Sequence, residues 1–511
     1  MSAAFSHEDM KRVERGPVNR AFDDNSRLMK AAETLAALDQ RPAYSPVVIA
    51  GLVKLLDFFT IVVAGFLVHA LYISSSEPFK NAYALAIPTV AAVAVVAFEA
   101  MRVTSVGALR RPLRSGFRLA GAWGVAILGA LAVIFFAKIE GAFSRVWLAG
   151  WFFAGLGGLL VERGVVSLIV RRLIAMGRLE RRTVVVGGGE PAEQLLGELE
   201  KQNDSDVRVI GIFDDRMDAR SPDMLAGYPK LGKIDDLVEF ARHTRVDLVI
   251  FALPITAEAR LLQMLRKLWV LPIDIRLSAH TNKLRFRPRS YSYVGAVPVL
   301  DVFDKPIADW DVVMKWGFDK IVGSLALIAL SPVMALTALA VKLDSKGPVF
   351  FKQKRYGFNN ELIEVFKFRS MYTDKSDATA SKLVTKDDPR VTRVGRIIRK
   401  TSLDELPQLL NVVFKNDLSL VGPRPHAVSA KAANVQYDEV VDGYFARHRV
   451  RPGITGWAQV NGWRGETDTQ EKIEQRVAHD LYYIENWSLL FDLYILAITP
   501  FSLLSKNENA Y

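Results

Sequence analysis

The sequence predicts a membrane protein of mixed α and α/β class, on three observations. Four apolar stretches crowd the first third, and short apolar runs then alternate with amphipathic segments. A further long apolar run opens a C-terminal third dense in arginine and in glycine–proline turns. The expected organisation is a polar tail (1–46), a four-helix transmembrane region (47–180), an α/β domain (181–300) and a mostly α domain (310–511) with a re-entrant membrane helix (316–343). Of 511 residues, 50% are hydrophobic, 66 Lys and Arg face 55 Asp and Glu for a net charge of +11, and there is no cysteine. The missing thiol excludes disulfides, thiolate metal sites and cysteine nucleophiles. The basic balance suits a phosphate-bearing partner: nucleic acid, an anionic bilayer face or a nucleotide.

The tail mixes charges (Lys11, Arg12, Arg15, Arg20, Arg27, Lys30, Arg41), and no apolar run follows the first methionine, so no signal peptide is expected. The stretches near 47–73, 82–101, 117–137 and 144–162 each approach the roughly 20 residues that cross a hydrocarbon core. Lys54 and Asp57 are spaced i,i+3 and are expected to pair on one helix face. Arginines gather between the second and third stretches (Arg102, Arg110, Arg111, Arg114) and after the fourth (Arg163, Arg171, Arg172, Arg178, Arg181, Arg182). The positive-inside rule therefore puts both ends of this region in the cytoplasm.

From Thr183 the pattern becomes strand, turn, helix. Val184–Ala192 matches G-x-G-x-x-A through Gly187, Gly189 and Ala192, and further strands are expected at 207–213, 246–253 and 272–277. This is a Rossmann-like pattern. Gly187 and Gly189 are candidate nucleotide contacts, since such a turn aims backbone amides at a pyrophosphate. Glu190 and Pro191 work against that role by adding a negative charge and removing a donor, so a purely structural turn stays open.

Lys320–Lys342 is long enough to span, yet Ser331 and Pro332 interrupt it, and proline removes a helix hydrogen bond. Lysines flank both ends (Lys315 and Lys320; Lys342, Lys346, Lys352 and Lys354), so both flanks read as cytoplasmic. A helix–break–helix that dips into the inner leaflet and returns satisfies both facts.

The C-terminal third carries the chemistry. Gly347–Gly357 and Lys367–Met371 are basic and aromatic; Arg393–Val412 contains SLDELPQ; Ser419–Pro425 and Arg451–Gly462 supply glycine–proline turns with arginines. Cations in rigid turns, interleaved with isolated acids, suit a phosphate-handling site. Proline fits the first turn of a helix, so Pro407 places Asp404 and Glu405 at a helix start, where the macrodipole favours negative charge. Ser402–Glu405 also fits a capping box, a competing structural role for Glu405. For Lys367, Arg369, Arg424 and Arg451 the competing role is a solvated or lipid-facing basic surface. His426 and His448 read as bystanders.

Together, Gly347–Gly357, Lys367–Met371, Leu403–Gln408, Ser419–Pro425 and Arg451–Gly462 resemble the bacterial sugar transferase family, the polyprenyl-phosphate phosphoglycosyl transferases that start exopolysaccharide, capsule or glycan assembly. The resemblance covers 310–511, and the upstream organisation is similar to the family's long form, which includes undecaprenyl-phosphate glucose phosphotransferases. It implies that Asp404 attacks the sugar-proximal phosphate of a UDP-sugar, expels UMP and passes the phosphosugar to undecaprenyl phosphate. It also implies that Glu405 helps hold Mg²⁺. The residues themselves make Lys367, Arg369, Arg396, Arg399, Arg424 and Arg451 the candidate contacts to substrate phosphates. The cytoplasmic face of the bacterial inner membrane is the implied location, with the lipid bilayer as partner. The family's long members make UDP-glucose the expected donor, with galactose or an acetamido sugar open, and the oligomeric state, a homodimer included, stays open too.

Two other classes compete. A membrane-anchored NAD(P)-dependent dehydratase or epimerase needs a Y-x-x-x-K pair, and no tyrosine here precedes a lysine at that spacing. A non-catalytic export scaffold would leave the Asp404 cluster without a task. Nucleic acid is disfavoured as a partner, because the charge follows membrane flanks and forms no single long face.

Overall fold

The computed structural model describes residues 43–74, 80–138, 140–201, 206–216, 222–253, 257–279, 292–294, 297–373, 388–426, 431–432, 435–436, 444–463 and 469–505. Residues 1–42 of the expected tail lie outside them.

The first unit is built on four long helices: α1 (Pro46–Val68, continued by a wider turn, His69–Ile73), α2 (Asn81–Ala100), α3 (Pro112–Phe136) and α4 (Arg145–Ala175). Ser45 and Ser144 start α1 and α4 by accepting hydrogen bonds from first-turn amides. The helices pack α1 on α2 and α4, and α3 on α2 and α4, around Ile61, Tyr83, Trp123, Trp147 and Trp151. Each buried indole finds an acceptor, Trp147 Nε1 on Gly65 O at 3.0 Å and Trp151 Nε1 on Ile61 O at 2.9 Å.

Two expectations change here. Lys54 and Asp57 do not pair with each other. Asp57, fully buried, takes Arg163 Nη2 at 2.9 and 2.7 Å, while Lys54 reaches Glu99 at 2.5 Å. The fourth apolar element does not end at 162 either: α4 continues to Ala175, so Arg163 lies within the helix packing and not on a flank. Burying a carboxylate is tolerable only with a counter-charge, and Arg163 supplies it.

In the second unit the chain forms an eight-stranded sheet: β1 (Arg181–Val186), β2 (Val207–Phe213), β3 (Met224–Leu225), β4 (Tyr228–Gly232), β5 (Leu248–Phe251), β6 (Asp274–Ser278), β7 (Ser292–Val294) and β8 (Val297–Phe303), in the order β3-β4-β2-β1-β5-β6-β8-β7. The β2–β4, β1–β5 and β5–β6 pairs are parallel and the outer pairs antiparallel. Helices α5 (Glu190–Glu200), α6 (Ile234–His243) and α7 (Glu258–Leu268) follow β1, β4 and β5. The expected strands are all present, and the core is Val184, Val249, Phe213, Phe240, Phe251 and their neighbours. Gly187 (φ +107) and Gly189 (φ +80) make the turn after β1.

Helix α8 runs unbroken from Asp309 to Asp344, so the break expected at Ser331 and Pro332 is absent and both residues lie within one helix. At 1.5 Å per residue it is about 54 Å long. Ser331 Oγ turns back onto Ile328 O at 2.8 Å. Both ends bind the same C-terminal domain. Near the start, Lys315 donates to Val421 O (2.9 Å) and Asp492 Oδ2 (2.6 Å), and Asp319 accepts from Leu420 N (3.1 Å). Near the end, Arg369 donates to Val341 O (3.0 Å) and Ser345 O (2.6 Å), and Asp344 accepts from Val394 N (3.0 Å). Ile321, Leu325, Ile328, Leu336, Leu339 and Leu343, spaced by threes, fours and eight, form an exposed apolar stripe.

The C-terminal domain adds a hairpin, β9 (Phe350–Tyr356) and β10 (Leu362–Phe368), helix α9 (Arg393–Lys400), a parallel strand pair, β11 (Ser419–Val421) and β12 (Gly453–Thr455), and helices α10 (Gln470–Glu485) and α11 (Leu489–Ser505). The β11–β12 pair explains two motif glycines. A Cβ on Gly453 would strike Gly422 N, and one on Gly456 would strike Gly422 O. Among the described residues five helices are long and apolar enough to cross a membrane: α1, with its continuation, to α4, and α8; α11 is a shorter apolar helix.

Candidate active site

Asp404 and Glu405 lie on a short 3₁₀ turn, Leu403–Glu405, that follows α9. Ser402 enters it in the left-handed region (φ +60) and makes no side-chain cap bond, so the capping-box alternative does not hold. Pro407 stands before Gln408–Leu410, which passes into a wider turn, Asn411–Lys415. The acids therefore precede a short, irregular helical segment and do not open a long helix, which leaves little macrodipole to act on them. The segment is pinned to the hairpin by Asn411, fully buried, whose Oδ1 accepts from Phe366 N (3.0 Å) and whose Nδ2 donates to Glu364 O (2.7 Å).

Lys367 of β10 donates to Glu405 Oε1 at 2.9 Å, and Arg424 donates to Oε1 at 2.5 Å and Oε2 at 3.2 Å. Burial alone would raise the Glu405 carboxyl, but Arg424 and Lys367 outweigh it and hold it well below the ordinary carboxylate range. Asp404, half-buried next door, takes no hydrogen bond from another described residue. Burial, opposed by Lys367 and reinforced by the Glu405 charge, pushes it up to about 6. The two acids thus differ in kind: Glu405 is a counter-ion held by two cations, and Asp404 is an open and more basic carboxylate, the better nucleophile of the pair.

Arg424 is held from behind. It sits between Pro423 and Pro425, which offer no amide donors, and two guanidiniums, the buried Arg447 and the half-buried Arg355, take the loop carbonyls. Arg447 donates to Arg424 O at 2.7 Å and to Asp480 Oδ2 at 2.6 Å, and Arg355 donates to Pro425 O. Arg447 also meets the ring of His426, which burial and Arg447 keep far below its usual pKa and therefore neutral.

Of the sequence candidates, Lys367, Arg399 and Arg424 gather around Asp404 and Glu405, Arg399 through its field. Arg396 is exposed on α9. Arg369 and Arg451 are placed elsewhere. Arg369 is buried and engaged with carbonyls at the end of α8, where the open helix terminus needs donors. Arg451 faces Asn416 Oδ1 at 3.1 Å, among Asp319 and Asp417. Neither side chain is directed at the acid pair, because local carbonyls and carboxylates claim them. Arg447, Asp480 and Asn411 were missed, and Arg355 entered only within the basic Gly347–Gly357 cluster; polarity inside an apolar run marks Asn411 alone.

The bacterial sugar transferase model matches residues 310–506, and a model described as a CoA-binding domain matches 99–279. Undecaprenyl-phosphate glucose phosphotransferase of Komagataeibacter xylinus is 40% identical over 67% of the chain, a match that spans 62% of that protein's length. UDP-glucose:undecaprenyl-phosphate glucose-1-phosphate transferase of Xanthomonas campestris pv. campestris is 33% identical over 90% of the chain and 94% of its own length. An exopolysaccharide production protein of Rhizobium leguminosarum bv. phaseoli is 47% identical over 39% of the chain and 98% of its own length. On this ground the chain belongs to the bacterial sugar transferase family.

Proposed function

We propose that the chain transfers glucose-1-phosphate from UDP-glucose to undecaprenyl phosphate and releases UMP, with Asp404 as nucleophile. An Asp404 oxygen attacks the sugar-proximal phosphorus, the bond from that phosphorus to the bridging oxygen breaks, and UMP carries that oxygen away. A phosphate oxygen of undecaprenyl phosphate then attacks the same phosphorus and frees the carboxylate. The sugar C1–O bond survives, so the anomeric configuration is retained. The observation that carries the proposal is the unequal acid pair: an open Asp404 beside a Glu405 that pins Lys367 and Arg424 where a diphosphate needs cations. Arg399 and the exposed Arg396 extend that positive surface along α9. Two half-reactions let a soluble donor leave before a lipid acceptor enters.

Mg²⁺ belongs to this reading as a companion of the donor. Magnesium is usually held by one or two carboxylates together with substrate phosphates. Glu405, whose oxygens keep unused lone pairs, is the side chain we assign to it. The ion would supply charge neutralisation to the diphosphate.

Four observations support the membrane arrangement we propose. The four helices α1–α4 are apolar and outwardly exposed, their basic loops favour a cytoplasmic location for both ends, and both ends of α8 bind one domain. Pro332 lies between those ends, in the second half of the helix. Thus α8 enters the inner leaflet and does not cross, with its apolar stripe in lipid, and the transferase site stays on the cytoplasmic face of the inner membrane.

The Gly187–Gly189 turn is proposed as a nucleotide contact outside the transfer itself. The buried Asp214 at the end of β2 has an oxygen without a partner, as a ribose hydroxyl would require, while Glu190 and Glu193 in the first turn of α5 oppose a phosphate. Equilibrium dialysis with UDP-glucose, NAD⁺ and coenzyme A tests it. The function as a whole is tested by offering the purified chain a panel of UDP-sugars with undecaprenyl phosphate and scoring UMP. UDP-glucose is expected to lead, and turnover unchanged in Asp404→Ala would sink the mechanism.

A further inference from the structure

The reading above leaves the α/β domain without a part in the transfer, and its contacts with the C-terminal domain single out one residue. Helix α6 ends with Arg242 in its last turn, where exposed carbonyls favour a cation. Next to it, Ala241 O accepts from Asn359 Nδ2 at 3.0 Å. Arg242 meets two elements at once. With the Asn360 amide assigned so that its nitrogen donates to His448 Nδ1, the one orientation that satisfies both neighbours, its oxygen accepts from Arg242 Nε and Nη2, each at 3.2 Å. Arg242 Cζ also stands 4.7 Å from the centroid of the Phe445 ring, a cation–π geometry.

Those two elements are the supports of the active site. Asn359 and Asn360 (φ +51 and +61) form the tip of the β9–β10 hairpin, in the left-handed region that asparagine tolerates. The same hairpin carries Arg355, which binds Pro425 O, and Lys367, which binds Glu405. Phe445 and His448 belong to the turn Tyr444–Arg449, whose inward residue Arg447 binds Arg424 O and Asp480. One guanidinium on the α/β domain therefore ties together the outer ends of the two elements whose inner ends place Arg424 and Lys367 on Glu405.

We propose that Arg242 is a positioning residue for phosphosugar transfer: by locking the hairpin tip to the 444–449 turn, it fixes the cations that flank Asp404. The inference rests on Asp404 and its two cations being the transfer site. It gives the α/β domain a task in catalysis that needs no ligand in that domain.

The test uses the full chain in detergent. UMP release is followed in the absence of acceptor, so that burst amplitude counts competent sites and burst rate reports the first half-reaction. A misplacement of reacting groups costs on the order of tenfold to a hundredfold in rate, and that loss is expected in the burst rate of Arg242→Ala at undiminished amplitude. Arg242→Lys keeps the charge without the planar fork and is expected to recover little. In the Arg242→Ala background Asn360→Ala should cost less than it does alone, because the link between the two side chains is already gone and only the Asn360–His448 bond remains to be lost. Glu239→Ala, exposed on the same helix, should match the parent chain.

A burst rate unchanged in Arg242→Ala, a loss confined to amplitude, or independent losses in the double variant would each overturn the inference. Asp404→Asn run alongside separates the two failures. If it still gives a burst, the transfer site itself is misassigned; if it gives none while Arg242→Ala matches the parent, only the positioning role falls.

Discussion

Arg424 meets Glu405 fork to fork across nineteen residues of sequence, Nη2 to Oε1 at 2.5 Å and Nη1 to Oε2 at 3.2 Å. With Lys367 on the same oxygen, Glu405 becomes a holder of cations and Asp404 keeps its lone pairs for chemistry.

That division predicts different defects for neighbouring substitutions. Asp404→Asn should abolish UMP release and leave no label on the protein when labelled UDP-glucose is quenched rapidly. Glu405→Gln should still trap label, at a rate lower by about 10²-fold, the scale seen when preorganised charge is lost from a site. Label accumulating on Asp404→Asn would reverse the assignment.

The acid limb of the rate profile follows from the same geometry. Asp404 attacks as a carboxylate, and burial with the adjacent Glu405 charge raises it from 3.8 to about 6. Activity should therefore fall as pH drops through about 6. In Glu405→Gln the neighbouring negative charge is gone and the two cations remain, so the limb should move to lower pH. A limb that stays in place in that variant would show that Glu405 does not tune Asp404.

Stability should run against activity. A carboxyl whose folded pKa lies above its unfolded one holds its proton better when folded, so its contribution is present below pH 4 and is lost as pH rises through about 6. Asp404→Asn removes that penalty, worth about 1–2 kcal/mol once the half-exposed position is discounted. Its melting temperature should exceed that of the parent chain at pH 8, and the two should converge towards pH 4. Equal melting at pH 8 would mean that Asp404 is not strained by its setting.

What the sequence disclosed was local. The clusters around Leu403–Gln408, Ser419–Pro425 and Arg451–Gly462 stood out because glycine and proline dictate turns within a few residues, and the strand–turn–helix rhythm after Thr183 did the same for the sheet. What stayed hidden was long-range. Nothing near Asp404 says that Glu405 will be claimed by a lysine on β10 and an arginine after β11, or that Arg369 will be consumed by the end of α8. Helix α11, with 17 residues, falls short of a spanning length and carried no signal strong enough to separate it from a core helix. The buried pair below was misread for the same reason, since an i,i+3 neighbour looked a better partner than one 106 positions away.

Asp57 and Arg163 provide the remaining prediction. Both are buried, and Arg163 Nη2 bridges the two carboxylate oxygens at 2.9 and 2.7 Å, joining α1 to α4. Removing one partner leaves the other charge without compensation in an apolar helix packing, which costs about 3–5 kcal/mol. Removing both replaces two desolvated ions by hydrocarbon and can be neutral or better. Asp57→Leu should therefore lower the melting temperature in detergent sharply, and Asp57→Leu with Arg163→Leu should restore most of the loss. Were the double variant as damaged as the single one, the pair would be acting through something other than mutual neutralisation, such as the neighbouring Glu162–Thr60 hydrogen bond at 2.7 Å.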